Sequence, residues 1–267
     1  MSLPILNQIR IGSITVATAV GAMIMQYYQN SYEIRNKSPN NPVTTADLAA
    51  NQQIQQIIKE AFPDDGWLSE ESKDSPDRLD KERVWVIDPI DGTLEFIEGV
   101  SEFAVSIALV ENGIPIVGVL NNPATEELFV AVKGDGSSLN GERLQCMPGI
   151  AISQVALLVS RTEHRRGQLE GFVPLVDELR YIGSVAYKLG KLAAGAAHAY
   201  LTVQPKNEWD ICAGDLIVRE AGGVLWDRKR QPIRYNKANP KQPAGMFAGD
   251  SGLVGELIDV YLQVLDD

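Results

Sequence analysis

Apolar positions along the chain follow two different periods, and the change from one to the other organises the molecule. Residues 4–29 are apolar at close helical spacing, and "TTADLAANQQIQQIIKEAF" repeats the pattern with Leu48, Ile54, Ile57, Ile58 and Phe62. The second stretch opens with capping residues, so helices are predicted over 4–29 and Thr45–Ala61, with "NKSPNNPVT" between them a loop by composition. From 84 to 132 the pattern becomes that of strands: "VWVID", "FAVSIALVENGIPIVGVLNNP" and "ELFVAVKGDG", broken at "ENG" and "KGDG" by hairpin-type turns. This first half reads as an antiparallel sheet with helices.

After residue 150 strands and helices alternate. "VALLVS" leads to a predicted helix near Gln168–Glu178, a short strand over Leu179–Ile182 and a helix over Ser184–Ala197. Then come "AYLTV", a helix over Asp210–Glu220 ended by Gly222-Gly223, and "GGVLWD". Such alternation predicts a smaller α/β layer. The seam falls near residues 145–155, giving an N-terminal α+β half over 1–148 and a C-terminal α/β half over 149–267.

Charge narrows the partners. With 35 acids against 24 bases the net charge is −11, which argues against a nucleic-acid polymer, because a phosphate backbone needs a basic surface. Acids gathered around divalent cations would still attract a small phosphate. Cys146 and Cys212 are far apart and show no metal-binding spacing, so neither a zinc site nor a disulfide framework is indicated. A reducing, cytoplasmic setting is expected. Ile11–Met25 resembles the apolar part of a signal peptide, but it is too short to span a bilayer, which takes ~20 apolar residues. It is read as a buried first helix, with export as the minority alternative and no membrane partner expected.

The candidate chemistry starts at "VWVIDPIDGTLEF", residues 84–96. A buried strand runs into Asp88, Pro89 turns the chain, Asp91 follows, and Gly92-Thr93 can open a helix with free N–H groups. Two readings stay open. Asp88 and Asp91 are turn and cap residues, or they share a divalent cation while the Gly92 and Thr93 amides hold a phosphate oxygen. The same duality holds for Glu70-Glu71 in "GWLSEES", for Asp210 in "EWDICAGDLIVREAGG" and for Asp47 after "PVTTA": solvated or capping acids in one reading, site acids in the other.

Taken together, "WVIDPIDGTLEF", "SEES" and "WDICAGDLIVREAGG", in this order, resemble the inositol monophosphatase superfamily of magnesium-dependent, lithium-sensitive phosphatases, from about Pro42 to Ala248. The resemblance implies a layered αβαβα sandwich of α+β class. It also implies two or three Mg²⁺ ions. Glu70, Asp88 and the Ile90 carbonyl would hold the first, and Asp88, Asp91 and Asp210 the second. A third, weaker ion would share Glu70. By the same resemblance, metal-activated water attacks a phosphomonoester in line, oriented by Thr93 with Glu70 or Asp47 behind it, and a homodimer is plausible.

The subgroup is read from the remaining stretches. "DGTLEF" is closer to the "DGTKEF" of 3′(2′),5′-bisphosphate nucleotidases than to "DGTTNF", although Leu94 stands where that subgroup has lysine. "LSEES", "SRTEH", "GSVAYKL" and "PIRYNKANP" lean the same way. The main expectation is therefore hydrolysis of 3′-phosphoadenosine 5′-phosphate, with inositol or sugar phosphate hydrolysis as the alternative. Ser160, Arg161 and His164 are the candidates for a phosphate or ribose, Gly183, Ser184 and Lys188 for the other phosphate, and Arg234 or Tyr235 for the base. Each has a duller account: Arg161 and Lys188 as surface charges, Tyr187 as a packing residue. His198 and Asn51 stand where the family often has acids.

Overall fold

A computed structural model describes residues 3–38 and 41–266. The chain opens with helix α1 (Leu3–Tyr27) and an antiparallel hairpin of β1 (Ile34–Ser38) and β2 (Asn41–Thr44). The predicted loop there is thus a hairpin, with residues 39 and 40 of its turn outside the described residues. Helix α2 (Thr45–Ala61) starts in a capping box, with Thr44 and Asp47 each accepting from the other's backbone N–H.

The first sheet comprises β3 (Gly66–Ser69), β4 (Arg83–Asp91), β5 (Ala104–Glu111), β6 (Ile114–Asn122), β7 (Glu127–Val132), β8 (Gly136–Leu139) and β9 (Glu142–Arg143), in that spatial order. β3 runs parallel to β4 and every later neighbour is antiparallel. A short helix, α3 (Thr93–Ile97), follows β4. The second sheet comprises β10 (Ala156–Val159), β11 (Glu178–Tyr181), β12 (Ala199–Thr202), β14 (Val224–Asp227) and β16 (Met246–Gly249), in the order β11-β10-β12-β16-β14. A separate ribbon pairs β13 (Lys206–Asn207) with β15 (Lys241–Gln242). The remaining helices are α4 (Arg161–Arg165), α5 (Val185–Ala193), α6 (Glu208–Glu220) and α7 (Ser251–Asp266).

Alternation along β4 explains the layering. Trp85 and Ile87 face α1 and α2, together with Val105, Ile107, Val117 and Val119, while Val84 and Val86 face α5 and α6. Both faces of the sheet are covered, which is why its strands read as continuous apolar runs. α5 and α6 fill the space between the sheets, and α7 covers the outer face of the second sheet through Val254, Leu257 and Ile258. The result is the αβαβα sandwich. Close approach of α6 to the first sheet depends on Gly118, where a Cβ would lie 2.9 Å from the Ala213 carbonyl oxygen. Leu6–Tyr27 is long and apolar enough to cross a membrane, yet Ala17, Val20 and Ile24 are buried against the first sheet.

Two further local expectations are corrected. Residues 168–178 form turns leading into β11, not a helix, because Gly171 and Pro174 interrupt the backbone ladder after single turns at Leu169 and Phe172. The helix expected to reach Ala197 ends at Ala193, ahead of Gly195, whose φ is +75°. β8, β9, β16 and α7 are elements the periodicity reading did not assign.

Candidate metal centre

The parallel pairing of β3 with β4 sets Ser69 opposite Ile87, so the next residues, Glu70 and Asp88, emerge side by side. The Glu70 amide donates to the Ile87 carbonyl at 3.2 Å. Asp88 continues the parity of Val84 and Val86 and therefore faces the α5–α6 layer. It is 1% exposed, and its Oδ1 accepts from the Ile90 amide at 3.1 Å. From that layer Asp210, in the first turn of α6, meets it, its Oδ2 held by the Asn207 amide at 2.8 Å. Glu70, Asp88 and Asp210 each offer a carboxylate oxygen, and these oxygens all lie within 4.8 Å of one another.

Asp91 is fixed from the second half of the chain. Its Oδ2 accepts from the Ser184 hydroxyl and from the Ala186 amide at 2.6 Å, both at the start of α5. Between Asp91 and α3, Gly92 adopts φ +98°, and a Cβ there would lie 2.8 Å from the Glu102 carbonyl oxygen. Only glycine turns the chain at this point.

Burial pushes the Asp88 and Asp210 carboxyls well above the ordinary range, and the surrounding acids add to it: Glu70, Asp91 and Asp210 around Asp88, Asp91 and Glu70 around Asp210. Burial raises Asp91 as well, against the Ser184 and Ala186 hydrogen bonds that favour its ionised form. Hard carboxylate oxygens from three separate elements, crowded where like charges repel, form a donor set suited to a hard divalent cation. Glu70, Asp88 and Asp210 fit such an ion, while Asp91 is close enough to raise the Asp88 and Asp210 carboxyls but is not among the clustered oxygens.

Asp47 and Thr93 adjoin the cluster. Thr93 Oγ1 lies 3.0 Å from Asp47 Oδ1 and 3.2 Å from the Ile90 carbonyl oxygen, and donates to one of them at a time. The buried Asp47 also accepts from the Thr44 amide at 2.7 Å, and burial raises its carboxyl despite these hydrogen bonds.

Sequence reasoning missed Lys37 and Glu102 here, and singled out Asn51 only as a departure from the family pattern. Lys37, on the β1–β2 hairpin, lies 2.7 Å from Glu70 Oε1 and 2.5 Å from Glu71 Oε1. Asn51 accepts from Ser69 at 2.7 Å and donates to Ser72 at 3.0 Å, bracing the Glu70-Glu71 turn from α2. Glu102 ties Arg161 and the Gly183 amide together. No one-dimensional signal marks Lys37 or Glu102, since each partner is distant in the chain.

The expected substrate residues are differently placed. Arg161 is engaged by Glu102 through two hydrogen bonds of 2.7 and 3.0 Å, and Ser184 serves Asp91 and caps α5. Lys188 is no surface charge: it is 2% exposed and donates to the Ile182 and Gly183 carbonyls at 2.8 and 2.7 Å. Burial lowers its pKa to about 8. Ser160, Gly183 and Lys188 do share a small cavity, of about 60 Å³, with Lys206 and Thr202. Tyr235 is buried on Asp215 at 2.8 Å, Tyr187 packs on Phe129, and the His164 ring stacks on Tyr181.

This geometry has counterparts among known proteins. The family model described as "Inositol monophosphatase family" matches residues 5–251. A fructose-1,6-bisphosphatase/inositol-1-monophosphatase of Thermotoga maritima is 32% identical over 259 residues, covering 96% of each chain. A protein of Pasteurella multocida named Nus factor SuhB is 35% identical over 228 residues, 80% of this chain and 83% of its own. The crystal structure of the extragenic suppressor protein suhB of Bartonella henselae superposes with a TM-score of 0.84 at 27% identity, covering 95% of this chain and 98% of that one. With the acid cluster in place between the sheets and the match running nearly end to end, the chain belongs to the inositol monophosphatase family and is a hydrolase of phosphoric monoesters.

Proposed function

We propose that the protein hydrolyses an inositol monophosphate or a related sugar phosphate in a Mg²⁺-dependent reaction. The convergence of Glu70, Asp88 and Asp210 oxygens within 4.8 Å carries this reading. Bound cations supply Lewis acidity and a water of lowered pKa. The chain's own groups do the rest. The Thr93 hydroxyl, donating to Asp47 Oδ1, keeps its lone pairs to accept from and orient an attacking water. Asp47 and Glu70 stand behind it as proton acceptors. The Gly92 and Thr93 amides at the start of α3 hold phosphate oxygens.

The polyol reading is preferred over 3′-phosphoadenosine 5′-phosphate for two reasons. Relatives of high similarity carry polyol phosphatase names, including an inositol-1-monophosphatase of Bacillus subtilis at 31% identity. The groups expected to hold a second phosphate are also engaged within the protein, Arg161 by Glu102, Ser184 by Asp91 and Lys188 by two carbonyls.

The test is phosphate release with Mg²⁺ from inositol 1-phosphate, fructose 1,6-bisphosphate, glycerol 2-phosphate and 3′-phosphoadenosine 5′-phosphate. Preference for a polyol ester supports the proposal. A kcat/KM highest on the bisphosphate nucleotide rejects it.

A further inference from the structure

Arg78 lies in a 3₁₀ turn, Pro76–Asp80, between β3 and β4, and is 2% exposed although its carboxylate partner Asp74 is 40% exposed. Its guanidinium spans two distant parts of the chain. Nε and Nη2 donate to the two Asp74 oxygens at 2.6 and 2.9 Å. Nη1 donates to Asn236 Oδ1 at 2.7 Å, and Nη2 also donates to the Lys237 carbonyl at 2.9 Å. The Asn236 side-chain amide donates back to the Arg78 carbonyl at 3.1 Å.

Each end of this link leads to a carboxylate of the metal centre. On one side the Arg78 backbone rests on Gly66, where a Cβ would lie 3.1 Å from Arg78 Cβ and 3.2 Å from its Cα. Gly66 opens β3, Glu70 follows the last residue of that strand, and Asp74 belongs to the segment leading from Glu70 to the turn. On the other side the Asn236 and Lys237 amides donate to the Glu208 carboxylate at 2.7 and 3.1 Å, and Gln242 adds a third donor at 3.2 Å. Glu208 is buried and is the first residue of α6, with Asp210 in the same turn. Residues 236–237 are thus held between Arg78 and Glu208. The guanidinium joins the strand that delivers Glu70 to the helix that delivers Asp210.

Burying an ion is costly, and apolar side chains of similar size hold two surfaces together as well or better. What the guanidinium adds is direction, because its planar fork donates only along fixed lines. Glu70 and Asp210 keep their oxygens within 4.8 Å of each other and of Asp88 despite their repulsion, so a fixed spacing has a use here that packing alone does not supply. On the reading of this centre as a cation site, we infer that Arg78 is a positioning residue that sets the spacing of Glu70 and Asp210 through Asn236, Lys237 and Glu208.

Mg²⁺ titration calorimetry of the full chain without substrate, paired with melting curves in EDTA, tests this. Arg78→Met keeps the stem on Gly66 and removes the fork. It is expected to weaken Mg²⁺ binding about tenfold, measured well below its melting temperature, which is the low end of what groups that orient metal ligands contribute. Arg78→Lys, which keeps a donor in place, should recover part of the loss. Glu208→Gln should weaken binding similarly, and the double variant by no more than about twofold beyond Arg78→Met, because both changes cut one link. Arg83→Met is the control, since it removes an ion pair of 2.7 Å with Asp65 at the other end of β4 from Asp88. It should lower the melting temperature and leave Mg²⁺ affinity within about twofold. Asn236→Ala cuts the same link from the loop side and carries the test if Arg78→Met does not fold. Parent-like affinity in Arg78→Met or Asn236→Ala, an additive double variant, or an equal loss in Arg83→Met would overturn the inference. A parent that binds no Mg²⁺ would remove the cation site itself, and this role of Arg78 with it.

Discussion

The Lys37 ammonium lies 2.7 Å from Glu70 Oε1, so a positive charge carried by the β1–β2 hairpin already sits on one of the three clustered carboxylates. Glu70 is shared between two partners in prospect, this lysine and a divalent cation. The pair is partly solvated, with side-chain exposures of 27% and 22%, which limits its strength to about 1 kcal/mol. Replacing Lys37 by methionine is therefore expected to tighten Ca²⁺ or Mg²⁺ binding by about three- to tenfold. Calorimetric titration of the cation reads this directly. Unchanged or weaker binding would show that the ammonium does not compete.

Asp91→Asn and Asp210→Asn are expected to lower turnover by on the order of 10²-fold or more, with the far-ultraviolet circular dichroism unchanged. The Asn207 amide and the α5 start still find a carbonyl oxygen on asparagine. In EDTA each variant should melt at or above the parent, because a repelling buried charge has gone. A variant that melts well below the parent in EDTA would mean that the acids stabilise the fold by themselves.

Metal-free stability is expected to fall as pH rises from about 4.5 to 7.5. Burial raises Glu208 to about 7 and Asp215 to about 6, and holds Asp88 and Asp210 well above the ordinary carboxylate range. Groups raised in the folded state bind more protons there than in the unfolded chain, so their contribution is complete below the unfolded value and disappears through the folded one. Lys188, lowered to about 8, acts above this window with the opposite slope. Added Mg²⁺ should raise the melting temperature more at pH 8 than at pH 5.5, since protons compete for the same oxygens. Melting curves in EDTA that are flat or rise with pH across that window would contradict this.

Ser184→Ala removes both the α5 cap and one of the two donors to Asp91 Oδ2. Loss of the cap costs about 1 kcal/mol. Loss of the Asp91 contact should appear in kcat, with Ser184→Thr restoring much of it. A stability loss with kcat unchanged would show that the Ala186 amide holds Asp91 unaided.

The fold was legible wherever a period was strong and both faces were buried. β4 to β7 and the helices α1, α2 and α6 follow directly from spacing. The segment 168–178 misled because Leu169, Phe172, Val173 and Leu175 mimic helical spacing while Gly171 and Pro174 prevent the ladder. α7 went unassigned although Leu253, Val254, Leu257 and Ile258 carry the period. At the site, Asp88 and Asp91 stood out because they interrupt an apolar run, while Asp210, at a helix start, stood out only through the resemblance of its motif. Lys37 and Glu102 did not, since their meaning lies in contacts across 33 and 59 or more positions.

The account rests on the acid cluster acting as a cation site for phosphoester hydrolysis. Phosphate release from inositol 1-phosphate, measured with saturating Mg²⁺ and in EDTA for the parent and for Asp210→Asn, tests it most directly. Turnover by the parent with Mg²⁺ only, and near-background release by Asp210→Asn in both conditions, is the expected result. Equal rates with and without Mg²⁺, or an Asp210→Asn variant as active as the parent, would contradict it.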